Sequence, residues 1–349
     1  MSILDVTITR EEWFTQILNK SGSDNSLKTA KTGIKKWDQY LDSLNENDAN
    51  VLKLLREHSS DPKAYQFLNK FVQWLISQKI APSSNKIFFA VMKSWVNANG
   101  IMLHQEYVKQ FIKFPKKVRE TRQPLTLEII KLLINNAPKK IAVVLYILLS
   151  SGMRISECLQ LQVRDINQNT NPIEIRIRAE TTKTLEERMA FISNEAWEKI
   201  QPLISDLEQN DTLFFCDYNK NSLIDFEIRF GQLRKHLGLV EKYANGKNYH
   251  VNVHAFRAYF LTQATRILDG DIAHALVGHH QYLDQYLRLS PQEKSEMYHK
   301  LEPYVTVSDE SRLRTIVEDK DSQLKELSQM QKEILELKAF KKRQEDKKL

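Results

Sequence analysis

The sequence predicts a mainly α protein with one small β-sheet, an α+β class in which helices far outnumber strands. Helical apolar spacing runs through roughly the first 114 residues, and a single pair of alternating stretches lies at 173–179 and 188–192. After Pro303 the composition changes, and residues 310–349 are almost free of glycine, proline and aromatics, as a long helix would be.

A chain of 349 residues exceeds the usual single domain, so two domains and an appendage are expected. Lys and Arg total 51 against 44 Asp and Glu, a net charge of +7 that tilts mildly towards a polyanionic partner. Cys158 and Cys216 form no CxxC and no zinc-type spacing, so neither a disulfide framework nor a structural metal is indicated. The start, MSILDVTITREE, carries acidic residues where a signal peptide needs a basic and then an apolar run. The longest apolar run, Ile141 to Leu149, falls far short of the roughly 20 residues that span a bilayer. No membrane partner is expected, and the compartment expected is the cytoplasm.

Residues 1–114 read as a helical bundle with apolar stripes at Ile34, Trp37 and Leu41, at Phe67, Phe71, Trp74 and Leu75, and at Ile87, Val91, Trp95 and Val96. Lys28, Lys31, Lys35, Lys36, Lys86 and Lys93 fall largely off those stripes. On any one helix they are a solvated face; taken together they also suit a DNA-facing surface. Residues 115–124 are a basic linker, in which Lys116, Lys117, Arg119 and Arg122 accompany two prolines, one at each end. Such a segment can cross a DNA backbone without reading sequence.

A second domain, 125–307, opens with Thr126 as a helix cap. The apolar helix 141–149 ends at a Ser150-Ser151-Gly152 turn. A new helix starting near Met153 would place Arg154 in its first turn, where backbone amides already favour an anion, with Glu157 three residues on to hold the guanidinium. The plain alternative is an intrahelical ion pair. The two strands follow, joined by a polar turn, Glu180 to Glu187, that contains Lys183. Farther on stand His254 and Arg257, three apart on a helix, then Gly278-His279, then Tyr286. Singly, these read as a helical pair, a glycine-ended helix and a core aromatic. In the 308–349 tail, Leu313, Ile316, Leu327, Met330, Ile334 and Leu337 keep a/d spacing, with Lys320 and Gln323 interrupting the seam. That pattern fits either a coiled coil or an amphipathic helix lying on its own body.

SGMRISECLQL (151–161), HAFRAYF (254–260), and LVGHH followed by Tyr286 together resemble the boxes of the tyrosine recombinases, the lambda-integrase type. PKKVRETRQPLTLEIIKLL resembles that family's linker into its catalytic domain, and YLRLSPQEKSEMYHKLEPYVTV is most similar to integrases of archaeal viruses and mobile elements. The resemblance implies a helical DNA-clamping domain before a catalytic domain that cleaves and rejoins double-stranded DNA through a 3′-phosphotyrosine. Arg154 and Arg257 would hold the non-bridging oxygens, with His254 and His279 beside them; Lys183 would protonate the leaving 5′-hydroxyl and Tyr286 would attack. Protein cations supply the electrostatics, so no metal, ATP or other cofactor is expected. The implied assembly is a tetramer on DNA at the nucleoid, with the tail a candidate link between neighbours. Two departures stand out. The His279 to Tyr286 interval is short, leaving Tyr282 and Tyr298 as rival nucleophiles, and Ala258 stands where many members carry a basic residue. A nicking and closing enzyme of the type IB topoisomerase kind, a non-catalytic DNA-bridging protein, and a metal nuclease using His254, His279 and His280 are the competing readings.

Overall fold

The computed structural model describes residues 8–116, 120–214, 220–244, 248–278 and 289–345. The chain divides into two compact units, 1–119 and 120–349.

The first unit is helical: α1 (Arg10–Ser21), α2 (Asp24–Asp42), α3 (Asp48–Glu57), α4 (Pro62–Ser77), α5 (Pro82–Ala98) and α6 (Gln105–Phe111). Thr9 begins α1 with a capping box to Glu12, and prolines open α4 and α5, where a missing amide hydrogen costs nothing. Trp37, Leu41, Tyr65, Phe71, Leu75 and Trp95 are buried in one core. Asp48 ties that core together: its carboxylate accepts both indole N–H groups, from Trp37 and from Trp95, each at 2.9 Å, and pairs with Arg10 at 2.8 Å. On α5 the buried stripe is Phe89, Met92, Trp95 and Val96, not the one that includes Ile87, which is exposed. Ile87 lies two residues from both Asn85 and Phe89, so a helical turn places it on the opposite side.

The second unit contains α7 (Leu127–Asn136), α8 (Lys139–Ser151), α9 (Ile155–Leu159), β1 (Ile166–Asn167), β2 (Ile173–Ile177), β3 (Arg188–Ile192), α10 (Asn194–Ile204), α11 (Lys220–His236), α12 (His254–Ile267), α13 (Gly270–Val277), α14 (Pro291–Leu301) and α15 (Asp309–Glu345). The expected α+β class is what is found. The sheet is antiparallel in the order β1-β2-β3, with Ile166 opposite Ile175 and Ile177 opposite Arg188. Thr126 caps α7 as the sequence indicates. Apolar on nearly every side, α8 is the central helix, packed by α7, α10, α12 and β3. It stops at Gly152, whose φ of +62° suits glycine and where a Cβ would run into Phe260 and Val277.

α15 is anchored at its root. Glu195 accepts the backbone N–H groups of Val307 and Ser308 at 2.7 and 2.8 Å, and Asp309 pairs with Lys131 at 3.0 Å. Beyond that root, Leu324, Leu327, Met330, Ile334 and Leu337 are exposed, so this stretch of the helix does not lie apolar face down on its own body. Among the described residues no helix is long and apolar enough to cross a membrane.

Candidate active site

The site grows from the end of α8. Arg154 stands at the N-cap of α9 rather than inside its first turn, because its backbone is extended and the helix begins only at Ile155. Glu157 on α9 reaches back to it, accepting the Arg154 backbone N–H at 2.8 Å with Oε2 and the Arg154 Nη1 at 2.8 Å with Oε1. Glu157 is itself 1% exposed, so this carboxylate is a fixed internal post rather than a surface partner.

Arg257, on the first turn of α12, is 4% exposed. Its Nη1 donates to the Gly152 carbonyl at 2.7 Å and its Nη2 to the Val277 carbonyl at 2.6 Å. One guanidinium therefore pins the α8–α9 turn to the end of α13, immediately before Gly278. Burial, then repulsion from Arg154, lowers its pKa to about 10, far enough above neutrality that it stays charged. Gly278 ends α13 with φ +68°, the helix-ending role its sequence context allows.

His254 begins α12 and borders a cleft shared with Arg122, Tyr243, His250 and Arg266. Partial burial, followed by the charges of Arg257, Arg122 and Arg154, lowers its pKa below the usual 6.5, favouring a neutral imidazole at pH 7. The linker is clamped there: Gln123 N donates to the Tyr243 hydroxyl at 3.1 Å, and Ala244 N donates to Glu120 at 2.7 Å. Arg122 thereby comes to the site, although the sequence suggests only a backbone-crossing cation.

Lys183 is exposed at the tip between β2 and β3, in a turn ordered by Thr182, whose hydroxyl donates to the Ala179 carbonyl at 2.9 Å and accepts from Glu186 N at 3.1 Å. Among the described residues no bond links Lys183 to the arginines. His279, His280, Tyr282, Tyr286, Cys216, Lys117 and Arg119 lie outside the described residues. Tyr298 is a correction: it is fully buried, stacks on Phe191 with centroids 5.3 Å apart, and donates its hydroxyl to the Ser150 carbonyl at 2.7 Å. Burial pushes its pKa well above 10, so Tyr298 is a core residue and no rival nucleophile.

Sequence reasoning missed Arg188. It starts β3 and holds Glu157 in a fork, Nη2 to Oε2 at 2.6 Å and Nη1 to Oε1 at 3.2 Å. Strand alternation gives little signal for it, because Ala190, Phe191 and Ile192 are all buried and β3 therefore has apolar residues on both faces. Burial alone would raise the Glu157 pKa, but hydrogen bonds and charge from Arg188, then Arg154, outweigh it and lower the pKa below the ordinary carboxylate value.

In the first unit, Lys28, Lys31, Lys35 and Lys86 are exposed, as is Lys116 after it, whereas Lys36 donates to Gln39 at 2.9 Å and Lys93 to Gln105 at 2.8 Å.

Residues 102–292, more than half of the chain, match the phage integrase family. The chain belongs to that family. Comparison with curated proteins finds no match. Among solved structures, a lambda integrase dimer bound to a COC' core site is similar, at 15% identity and a TM-score of 0.55, over 81% of this chain and all of that one. An XerH site-specific recombinase bound to difH substrate has a TM-score of 0.51 at 14% identity, over 84% of this chain and 90% of that one. The Tn1549 transposon integrase in complex with transposon right end DNA has the same score and identity, over 83% and 98%. At these identities the likeness is one of fold.

Proposed function

We propose that this integrase-family protein is a site-specific DNA recombinase that exchanges strands through a 3′-phosphotyrosine. The observation that carries the reading is the convergence at the α8–α9 turn of Arg154, held by the buried Glu157, and Arg257, which binds the Gly152 carbonyl and also ties in the end of α13 through the Val277 carbonyl. Two fixed guanidiniums suit the charge that grows on non-bridging phosphate oxygens during attack. In this reading Tyr286 attacks phosphorus and the 5′-oxygen leaves, taking a proton from Lys183. His254, neutral at pH 7, accepts the tyrosine proton, and His279 donates to the phosphate. The bond energy is kept in the phosphotyrosine, so the reverse attack by a 5′-hydroxyl reseals the strand.

The remaining assignments rest on the same reading. The first unit, with Lys28, Lys31, Lys35 and Lys86, clamps the duplex, and the 115–124 linker crosses its backbone. Four protomers assemble on two duplexes in the cytoplasm at the nucleoid, and the exposed apolar stripe of α15 supports a role for the tail in joining neighbours. The affinity to integrases of archaeal viruses rests on the 286–307 pattern alone.

A suicide-substrate assay tests the activity: nicked duplexes tiled across the DNA flanking the chain's own gene are incubated with the protein in EDTA. A covalent protein–DNA adduct with at least one duplex is expected. Tight binding with no adduct would favour the bridging reading, and adducts that relax plasmids without exchange would favour nicking and closing. Removing 310–349 is expected to weaken exchange more than single cleavage; undiminished exchange contradicts the tail's role.

A further inference from the structure

Glu157 serves two guanidiniums unequally. Arg188 meets it with both terminal nitrogens, whereas Arg154 spends only Nη1 and its backbone N–H. The two arginines differ in reach as well. The Arg188 side chain is 14% exposed and the Arg154 side chain 29%. Among the described residues, Glu157 is the only partner of the Arg154 guanidinium, so its remaining donors stay available to a ligand.

Carboxylate and guanidinium favour a two-pronged pair wherever geometry allows one. With Arg188 gone, the vacated lone pairs of Glu157 would face Arg154 alone, and the pair would close, drawing Arg154 donors away from a phosphate. The stem of Arg188 has a second contact: a Cβ at Gly278 would lie 2.6 Å from its Cδ and 2.9 Å from its Nε. Arg188 is thus packed beneath the backbone that leads directly into His279.

We propose that Arg188 is a positioning residue which occupies Glu157 so that Arg154 stays open to the scissile phosphate. In this role Arg188 acts through Glu157: its fork commits one N–H of each terminal nitrogen to the carboxylate, and its Nε is buried with no hydrogen-bond partner among the described residues. The proposal rests on the recombinase reading, and its mechanism is specific: the harm done by losing Arg188 comes from the carboxylate it leaves behind.

The test compares wild type, Arg188→Met, Arg188→Lys, and Arg188→Met combined with Glu157→Gln, on a tiled duplex that wild type cleaves. Adduct formation at saturating DNA is measured separately from DNA affinity, with circular dichroism melts to verify folding. Arg188→Met is expected to slow adduct formation at least about tenfold, a barrier change of little more than one hydrogen bond. Affinity should change far less than the rate. Adding Glu157→Gln should recover most of the rate, because a neutral amide no longer captures Arg154, and removing both members of a buried pair is tolerated far better than removing one. Should Arg188→Met fail to fold, Arg188→Lys carries the test: its single ammonium frees one Glu157 oxygen, and slower cleavage at unchanged affinity is expected. A folded Arg188→Met or Arg188→Lys at the wild-type rate, or a double variant no faster than Arg188→Met, overturns the proposal. Absence of any wild-type adduct would instead overturn the recombinase reading beneath it.

Discussion

The positive charges of the two units are held in opposite ways. In the second unit Arg154, Arg188 and Arg257 are fixed by a buried carboxylate and by two backbone carbonyls. In the first unit Lys28, Lys31, Lys35 and Lys86 stand on exposed faces, with Lys31 5.5 Å from the Phe14 ring and Lys86 5.8 Å from the Phe114 ring. Fixed arginines can meet a transition state without reorganising, whereas exposed lysines contribute affinity by releasing counterions from any phosphate backbone. The contrast predicts that changes in the first set act on rate and fold, and changes in the second on salt-dependent binding.

The largest effect is expected for Arg257→Ala. It removes a guanidinium proposed to bind phosphate and takes away the bonds that the Gly152 and Val277 carbonyls accept from it. Adduct formation should fall about 10²- to 10³-fold, and stability should fall by about 1–3 kcal/mol, read in urea melts. A variant with only weaker DNA binding would break the comparison. Next is Gly278→Ala, which forces a side chain into φ +68° and onto Arg188. A loss of about 1–3 kcal/mol is expected, together with slower cleavage; an unchanged melt would show that Arg188 yields freely.

A smaller effect concerns pH. The His254 pKa is lowered in the fold, so the unfolded chain takes up its proton first. The group contributes nothing above the ordinary His range and costs stability as pH falls through it. An NMR titration of the free protein should place the His254 midpoint below 6.5; a midpoint above that value contradicts the electrostatics described. Smallest is each of Lys28→Gln, Lys31→Gln, Lys35→Gln and Lys86→Gln. Each should reduce the slope of log affinity against log salt by about 0.9 and leave the cleavage rate at saturating DNA untouched.

Much of this was legible in the sequence because the signals are local. An uninterrupted apolar run gave the central helix α8, and alternation gave β2 and β3. Arg154, Glu157, His254 and Arg257 stand near helix starts, where their spacing alone reads as ordinary helical pairs and the likeness of their boxes to the tyrosine recombinases brings them together. The two-residue β1 is too short to show a period, and the α5 stripe is displaced because Ile87 carries the right chemistry on the wrong side of the helix. Arg188 and Arg122 were missed as members of the site because their roles arise from contacts distant in sequence, to Glu157 and across the clamp at Tyr243. Tyr298 could be placed in the core only by packing, through Phe191 and the Ser150 carbonyl.

The most direct test of the account is to find the DNA-linked residue. Adduct trapped on a nicked duplex is digested with nuclease and trypsin, and the peptide that retains a nucleotide is fragmented by mass spectrometry. The account predicts the modification on Tyr286. A nucleotide on Tyr282, on any other residue, or on none in a sample that forms adduct would contradict it.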